Sequence, residues 1–350
     1  MTKKYVGAGL GLAATLAMAA FVAYRWRLSG FSWHEFAKAL INVDWSWLAV
    51  ALALILATYV GRAMRWEVML RPLQKHTSLW RVFSATAIGF TAVVLFGRAG
   101  EPVRPYLIAK KEGVTFSSQV AAWVVERMLD LLMVLVIFGM ALSQISRSAI
   151  QHGPRVKIVL EAGGYTAGLI GAVCLALLLG LRQFRGNVQK RLMDGLSFLP
   201  VLVSARVAKA LQSFGEGMES MRSGARTALL VLYTVVEWCI IAAAFGCVFK
   251  AFPATHELGV TDVVILLGFV CLGSIVQIPG VGGGMQIMTV LVLTEFFGVT
   301  LEAASGIALV LWIITFVVIV PFGLVLAFHE GIQWRNLRHI EQTATGGTGV

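Results

Sequence analysis

Runs of about 20 predominantly apolar residues recur along this chain, and no other feature limits its fold so strongly. They cover residues 5–24, 45–64, 120–142, 163–181, 227–249 and 304–328. Coiled as a helix, a run of that length spans the hydrocarbon thickness of a bilayer. In lipid the backbone must satisfy its own hydrogen bonds, so such runs fold as helices and not as open sheets. Composition agrees, because only 13% of the 350 residues are charged against about 25% in soluble domains. The expected fold class is an all-α polytopic membrane protein: one domain over residues 1–340, then a disordered polar tail at 341–350.

Two further apolar stretches are irregular. Residues 82–96 are short, and the Gly97 to Pro105 segment breaks them. Residues 262–278 end at Pro279, and Gly280, Gly282, Gly283 and Gly284 precede a second apolar run to Phe297. Loop charge indicates how these stretches sit, because Lys and Arg gather on the cytoplasmic side. Loop 182–226 carries eight of them, including Arg182, Lys190, Arg206 and Arg226, and belongs there. The loop from Arg65 to Arg81 and the Lys110-Lys111 pair also read as cytoplasmic. Loop 143–160 falls outside by alternation, against the pull of Arg147, Arg155 and Lys157. Residues 82–105 then start and finish on one side, as a re-entrant hairpin from the cytoplasm. The same counting makes residues 262–299 a hairpin entering from outside, with its tip at 279–284. Six full spans and two oppositely oriented hairpins form an inverted repeat with both termini cytoplasmic. Gly/Pro-broken segments at matching places in two halves point to a transporter. Eight plain spanning helices are the alternative.

The formal charge of +11 is explained by those cytoplasmic loops, which favour anionic lipid rather than nucleic acid. The N-terminus has the basic start and apolar run of a signal peptide. It ends in Tyr24-Arg25-Trp26-Arg27 without a small-residue cleavage site, so a retained first span is expected. Residues 32–44 and 188–221 are amphipathic and suit helices lying on the membrane surface. Cys174, Cys239, Cys247 and Cys271 all fall in apolar segments without metal-ligand spacing. No Walker A, HExxH or GxSxG pattern is present, so neither cofactor nor ATP chemistry is expected, and the chain does not read as an enzyme.

Charge is concentrated between Gly97 and Asp130, flanked by apolar sequence on both sides. Arg98, Glu101, Arg104, Glu126, Arg127 and Asp130 lie in that stretch. Ionisable groups at membrane depth are costly and normally face one another or a polar cavity. Glu126 and Asp130 share a helix face at i and i+4, and Arg127 can pair with Asp130. Glu126 then needs a cation, which Arg98 or Arg104 could supply if the hairpin packs on this helix. Arg98, Glu101 and Arg104 are spaced by three and could stack on one helical side. Guanidinium grips phosphate in bidentate fashion, which suits a lipid head group. The same pairs also read as an ion-pair lock holding the hairpin. Glu237 lies mid-span, either as a proton-coupling group or, slightly favoured, bonded to a neighbouring helix. Residues 277–286, with Gln277, Pro279, Gly282, Gly283 and Gln286, permit a tight turn and close helix approach. The backbone N–H groups at the start of the following helix could receive an anion.

These motifs resemble the lysylphosphatidylglycerol synthase/flippase transmembrane domain family. The likeness rests on R-x-G-E-x-x-R at Arg98, Gly100, Glu101 and Arg104, and on E-R-x-x-D at Glu126, Arg127 and Asp130. The Pro/Gly-rich hairpin at 279–284 is its third element, and the likeness covers about residues 5 to 330. It implies an inverted-repeat fold with re-entrant helices and movement of phospholipids, notably aminoacyl-phospholipids, between leaflets. Some relatives are linked to polyprenyl-linked sugar lipids in envelope assembly. This chain departs at Gln286, where relatives often carry glutamate, and at Trp312, where they often carry arginine. With the sequence read as ending at Val350, no soluble aminoacyl-transferase domain and no lipid synthesis are expected. The expected function is a lipid flippase or scramblase of the cytoplasmic membrane. A polyprenyl-linked sugar lipid substrate, or an accessory role beside a lipid-modifying enzyme, is the alternative. The expected partners are the phospholipid itself and either a second copy of the chain or such an enzyme.

Overall fold

The computed structural model describes residues 30–74, 76–148, 169, 171–173, 176, 212–217, 223–274, 277–278, 280 and 282–331. The expected first span, most of 163–181, most of loop 182–226, Pro279 and the tail lie outside these residues.

The described chain is helical apart from one short β-ribbon. Helix α1 (Trp33–Ile41) starts where Ser32 Oγ accepts from the Glu35 N–H, and α2 (Trp45–Leu70) starts where Asp44 accepts from Ser46. Both are ordinary N-caps that satisfy free N–H groups of the first turn. Helix α3 (Leu79–Phe96) is followed by a 3-10 turn (Gly97–Gly100) and α4 (Val103–Glu112). The long α5 (Phe116–Ser148) closes the first half. Helix α6 (Gly224–Ala251) is capped by Ser223, and α7 (Val260–Gly273) follows it. Strands β1 (Gln277–Ile278) and β2 (Gly282–Gly283) pair antiparallel and lead into α8 (Gly284–Glu295). Helix α9 (Leu301–Trp312), capped by Thr300, runs through a π-helical turn (Ile313–Val317) into α10 (Ile319–His329).

Among the described residues four stretches are long and apolar enough to cross a membrane: Trp45–Leu70, Leu79–Gly100, Gly224–Ala251 and Leu301–His329. The chain is an all-α membrane protein. At 33 residues α5 reaches about 50 Å, but its first half carries the charged motif. Helix α1 has no buried residue and exposes Trp33 and Ile41, within the amphipathic stretch expected at 32–44.

Both irregular stretches fold as helical hairpins. In the first, α4 turns back along α3, and this arm continues to Glu112, beyond the expected limit at Pro105. The charged run continues the helix because Pro102 and Pro105 sit at its start, where proline is tolerated. Two glycines make the tip. Gly97 has φ 65°, the left-handed region that side chains avoid, and the backbone of Ala92 occupies the space a Cβ on Gly100 would need. In the second hairpin α8 packs back on α7, with Gly273 and Gly284 in backbone contact.

Packing in one half has its counterpart in the other. Helix α2 packs on α3 and α6 on α7; α4 packs on α5 and α8 on α9. Across the halves, α5 packs on α7 as α10 packs on α3, and α2 and α6 pack on each other. The two tips meet: the Gly280 N–H donates to the Val94 carbonyl at 2.9 Å, and β1 lies against the 3-10 turn.

Gly100→Ala should destabilise the chain by about 1–3 kcal/mol through overpacking at the tip. Gly61→Ala, in α2 with open space around it, should be neutral or stabilising by about 0.5–1 kcal/mol. Thermal melting of the two variants in detergent checks this contrast.

Candidate functional site

A cluster of seven charged side chains lies where α2, α4, α5 and α6 converge. Its centre is Arg65, fully buried on α2. A guanidinium stays charged at any ordinary pH, so burial in an apolar bundle requires acceptors around it. Arg65 Nη1 donates to Asp130 Oδ1 at 2.8 Å and Nη2 to Asp130 Oδ2 at 3.3 Å, a two-pronged grip. Nη2 also donates to Glu126 Oε1 at 2.5 Å, and Nη1 to Thr234 Oγ1 at 3.0 Å. Glu237 Oε2 lies 3.4 Å from Nη1.

Helical spacing brings these groups together. Arg62 and Arg65 are three apart on α2, Glu126 and Asp130 four apart on α5, and Thr234 and Glu237 three apart on α6. Each pair therefore presents one face to the convergence. Arg62 Nε pairs with Glu237 Oε1 at 2.8 Å. Arg127 Nη2 reaches Asp130 at 3.0 Å and Glu126 at 3.5 Å, with two-fifths of its side chain exposed. The hairpin adds Arg104, buried on the first turn of α4 and paired with Glu126. Gly89 on α3 makes room for it, since a Cβ there would fall on the Cβ of Arg104.

Aromatic rings border the cluster. The Arg104 guanidinium lies 4.1 Å from the centre of the Trp66 ring and 5.2 Å from that of Phe90. Arg62 lies 4.5 Å from Phe90. Ring faces attract a cation without supplying a lone pair, so they hold these guanidiniums in place and leave N–H groups unbonded.

The structure gathers Arg104, Glu126, Arg127, Asp130 and Glu237 from the residues expected by sequence. Glu126 does not lack a counter-charge until the hairpin arrives, because Arg65 supplies one from α2. Arg65 itself is not part of a cytoplasmic loop: α2 continues to Leu70 and buries it. Glu237 is bonded to the neighbouring α2, the favoured of its two expected roles. Arg98, Glu101 and Arg104 do not form one helical stack. The first two sit at the tip, 3.6 Å apart with Arg98 61% exposed, while Arg104 points into the cluster.

In the second hairpin Gln277 lies in β1 and Gly282 and Gly283 in β2. Gln286 accepts from the Gly283 N–H at 2.6 Å, so that N–H at the α8 start is capped by the chain rather than open to an anion. Trp312 ends α9, directly before the π-helical turn. Arg62 carries no mark in the sequence reading, and Arg65 reads there only as a loop residue. The signal for them was an apolar run that continues past both arginines to Leu70. Among the described residues no group of His, Cys, Asp and Glu could hold a metal ion.

A second ionic contact lies away from the cluster. Lys111 Nζ reaches Glu330 at 2.6 Å, and Ser84 donates to the same carboxylate, tying the end of α4 to the end of α10.

Removing the centre should be severe. Arg65→Met takes a shared cation from Glu126, Asp130 and Glu237 at once, and a broken buried pair costs about 3–5 kcal/mol. Arg127→Gln, on the exposed edge, should cost under about 1 kcal/mol. Comparing melting of the two purified variants tests this ordering.

A family model described as the lysylphosphatidylglycerol synthase TM region matches residues 8–323. Among curated proteins the chain is similar to a UPF0104 membrane protein of Methanothermobacter thermautotrophicus, at 24% identity over 303 residues, covering 83% of this chain and 85% of that one. No solved structure matches it. The match spans both hairpins, the charged cluster and every apolar stretch from α2 to α9, so this multi-pass membrane protein belongs to the lysylphosphatidylglycerol synthase TM region family.

Proposed function

We propose that this protein moves a phospholipid or aminoacyl-phospholipid head group between membrane leaflets, as a flippase or scramblase of the cytoplasmic membrane. The observation that carries this reading is the buried cluster: seven ionic side chains inside apolar helices, gathered against a hairpin that ends within the bundle. A polar head group needs such a stopping point, while its acyl chains can remain in lipid. The family description, a transmembrane region linked to a lysyl-phospholipid synthase, supports a lipid substrate.

The packing correspondence and the meeting tips support an inverted repeat; in the topology proposed from loop charge the hairpins enter from opposite faces and both termini are cytoplasmic. In such transporters substrates bind near the midplane, at broken helices between the repeats. Non-helical backbone at that depth occurs only where protein or a water-filled cavity covers it. The glycine-rich turns at 97–100 and 277–283 fit that condition.

The reading is of a transporter rather than an enzyme. All three carboxylates of the cluster are engaged by arginines, which leaves none poised as a general base or nucleophile. Handling of polyprenyl-linked sugar lipids, or service to a lipid-modifying enzyme, remains the alternative.

Reconstitution in proteoliposomes with reporter lipids tests the proposal. Wild-type protein should accelerate translocation well above empty vesicles. Glu126→Gln, folded by gel filtration, should lose at least about tenfold of that rate, equivalent to about 1.4 kcal/mol. Wild-type rates in that variant would remove the cluster from the transport path.

A further inference from the structure

We infer that the cluster takes a phosphodiester monoanion: a lipid head group of net charge −1, in preference to a zwitterionic or cationic one. The inference borrows its lipid from the translocation reading and its charge preference from the cluster alone.

Charge arithmetic comes first. Four guanidiniums, Arg62, Arg65, Arg104 and Arg127, meet three carboxylates, Glu126, Asp130 and Glu237. Among the described residues every carboxylate here is shared by at least two arginines, and one positive charge is left over. An uncompensated charge inside an apolar bundle is strongly unfavourable, and arginine does not relieve it by losing a proton.

Hydrogen-bond arithmetic points the same way. Each guanidinium offers about five N–H donors and each carboxylate about four lone-pair sites, so donors exceed acceptors. The surplus is visible atom by atom: Arg65 Nε, Arg104 Nη1 and Arg127 Nε are buried with no hydrogen-bond partner among the described residues. Two carboxylate oxygens also lack an aligned hydrogen bond, but each lies against guanidinium: Glu126 Oε2 beside Arg104 and Arg127, Glu237 Oε2 beside Arg65. The unbonded donors thus outnumber the unbonded acceptors.

The missing partner must therefore accept hydrogen bonds, donate few, and carry about one negative charge. A phosphodiester meets all three conditions through its two non-bridging oxygens. A carboxylate of equal charge would fit the sum, but a phosphodiester is the anion that every phospholipid carries. A choline or lysyl group beside that phosphate brings a cation towards a site that already has one too many. Arg127 and Arg62, the partly exposed members, give the entry edge.

The test is equilibrium binding by titration calorimetry to the full chain in neutral detergent. The probes are short-chain phosphatidylglycerol, phosphatidylcholine and lysyl-phosphatidylglycerol, together with glycerophosphoglycerol, which carries the same diester without acyl chains. Wild type should bind phosphatidylglycerol at least about tenfold more tightly than the other two lipids. Arg127→Gln brings the cluster to charge balance and should reduce that preference to about twofold, whereas Arg127→Lys keeps the charge and should retain it. Melting curves confirm that both variants fold. Binding of glycerophosphoglycerol as tight as the lipid assigns the site to the free diester; binding of the lipid alone assigns it to a membrane head group. Equal affinity for the three lipids in wild type, or a preference unchanged in Arg127→Gln, overturns the inference. Translocation without head-group preference would overturn this inference alone, whereas anion-selective binding without translocation would overturn the transport reading alone.

Discussion

The grip of Arg65 on Asp130 and Glu126 is the contact on which the rest of this structure depends. A permanently charged group with no exposed surface cannot be placed before its acceptors arrive, so α2, α5 and α6 are fixed relative to one another by a single side chain. Thr234 and Glu237 complete its shell from α6. Once Glu126 is held, its second oxygen is free to receive Arg104, and that pairing draws the first hairpin inward. Such a network is poor evidence for stability as such, because desolvation offsets most of the attraction. Under the proposed function it gives a head group a polar stopping point inside apolar helices.

The two halves share a packing plan but not a chemistry. Each has a long helix, a hairpin and a further helix that packs against the other half's hairpin. All seven charges lie on one side of that correspondence or on the α6 face that meets it. The second hairpin has no charged residue between Asp262 and Glu295: Gln286 caps its own helix start, and Trp312 precedes a π-helical turn. A π-helical turn interrupts regular bonding and often accompanies a functional site. Here Tyr59 donates to the Thr315 carbonyl within it, tying α2 to that turn. One half thus supplies charge and the other supplies shape.

Much of this was legible in the sequence because lipid enforces simple rules. The spans at 45–64 and 227–249 lie within α2 and α6, and the second hairpin expected at 262–299 matches α7 to α8, since apolar length and glycine breaks report directly on both. The ends were less legible. Charge reads as loop by default, so Arg65 was assigned to a loop and the α4 arm was cut at Pro105. In each case tertiary pairing buried a residue that hydropathy alone would expel. Arg104 and Glu126 could be nominated as partners but not assigned, because the proof lies in Gly89, whose missing side chain lets the helices meet.

The central claim is that a head group crosses between the two hairpin tips, beside the buried arginines. A reducible cross-link across the tips tests it most directly. With Cys174, Cys239, Cys247 and Cys271 replaced by alanine, Arg98→Cys and Ile278→Cys, both exposed, would be bridged by a short disulfide-containing bis-maleimide in proteoliposomes and lipid translocation followed before and after reduction. The account predicts that the cross-link forms, stops translocation, and releases it on reduction. A cross-linked protein that moves lipid at its reduced rate would contradict it.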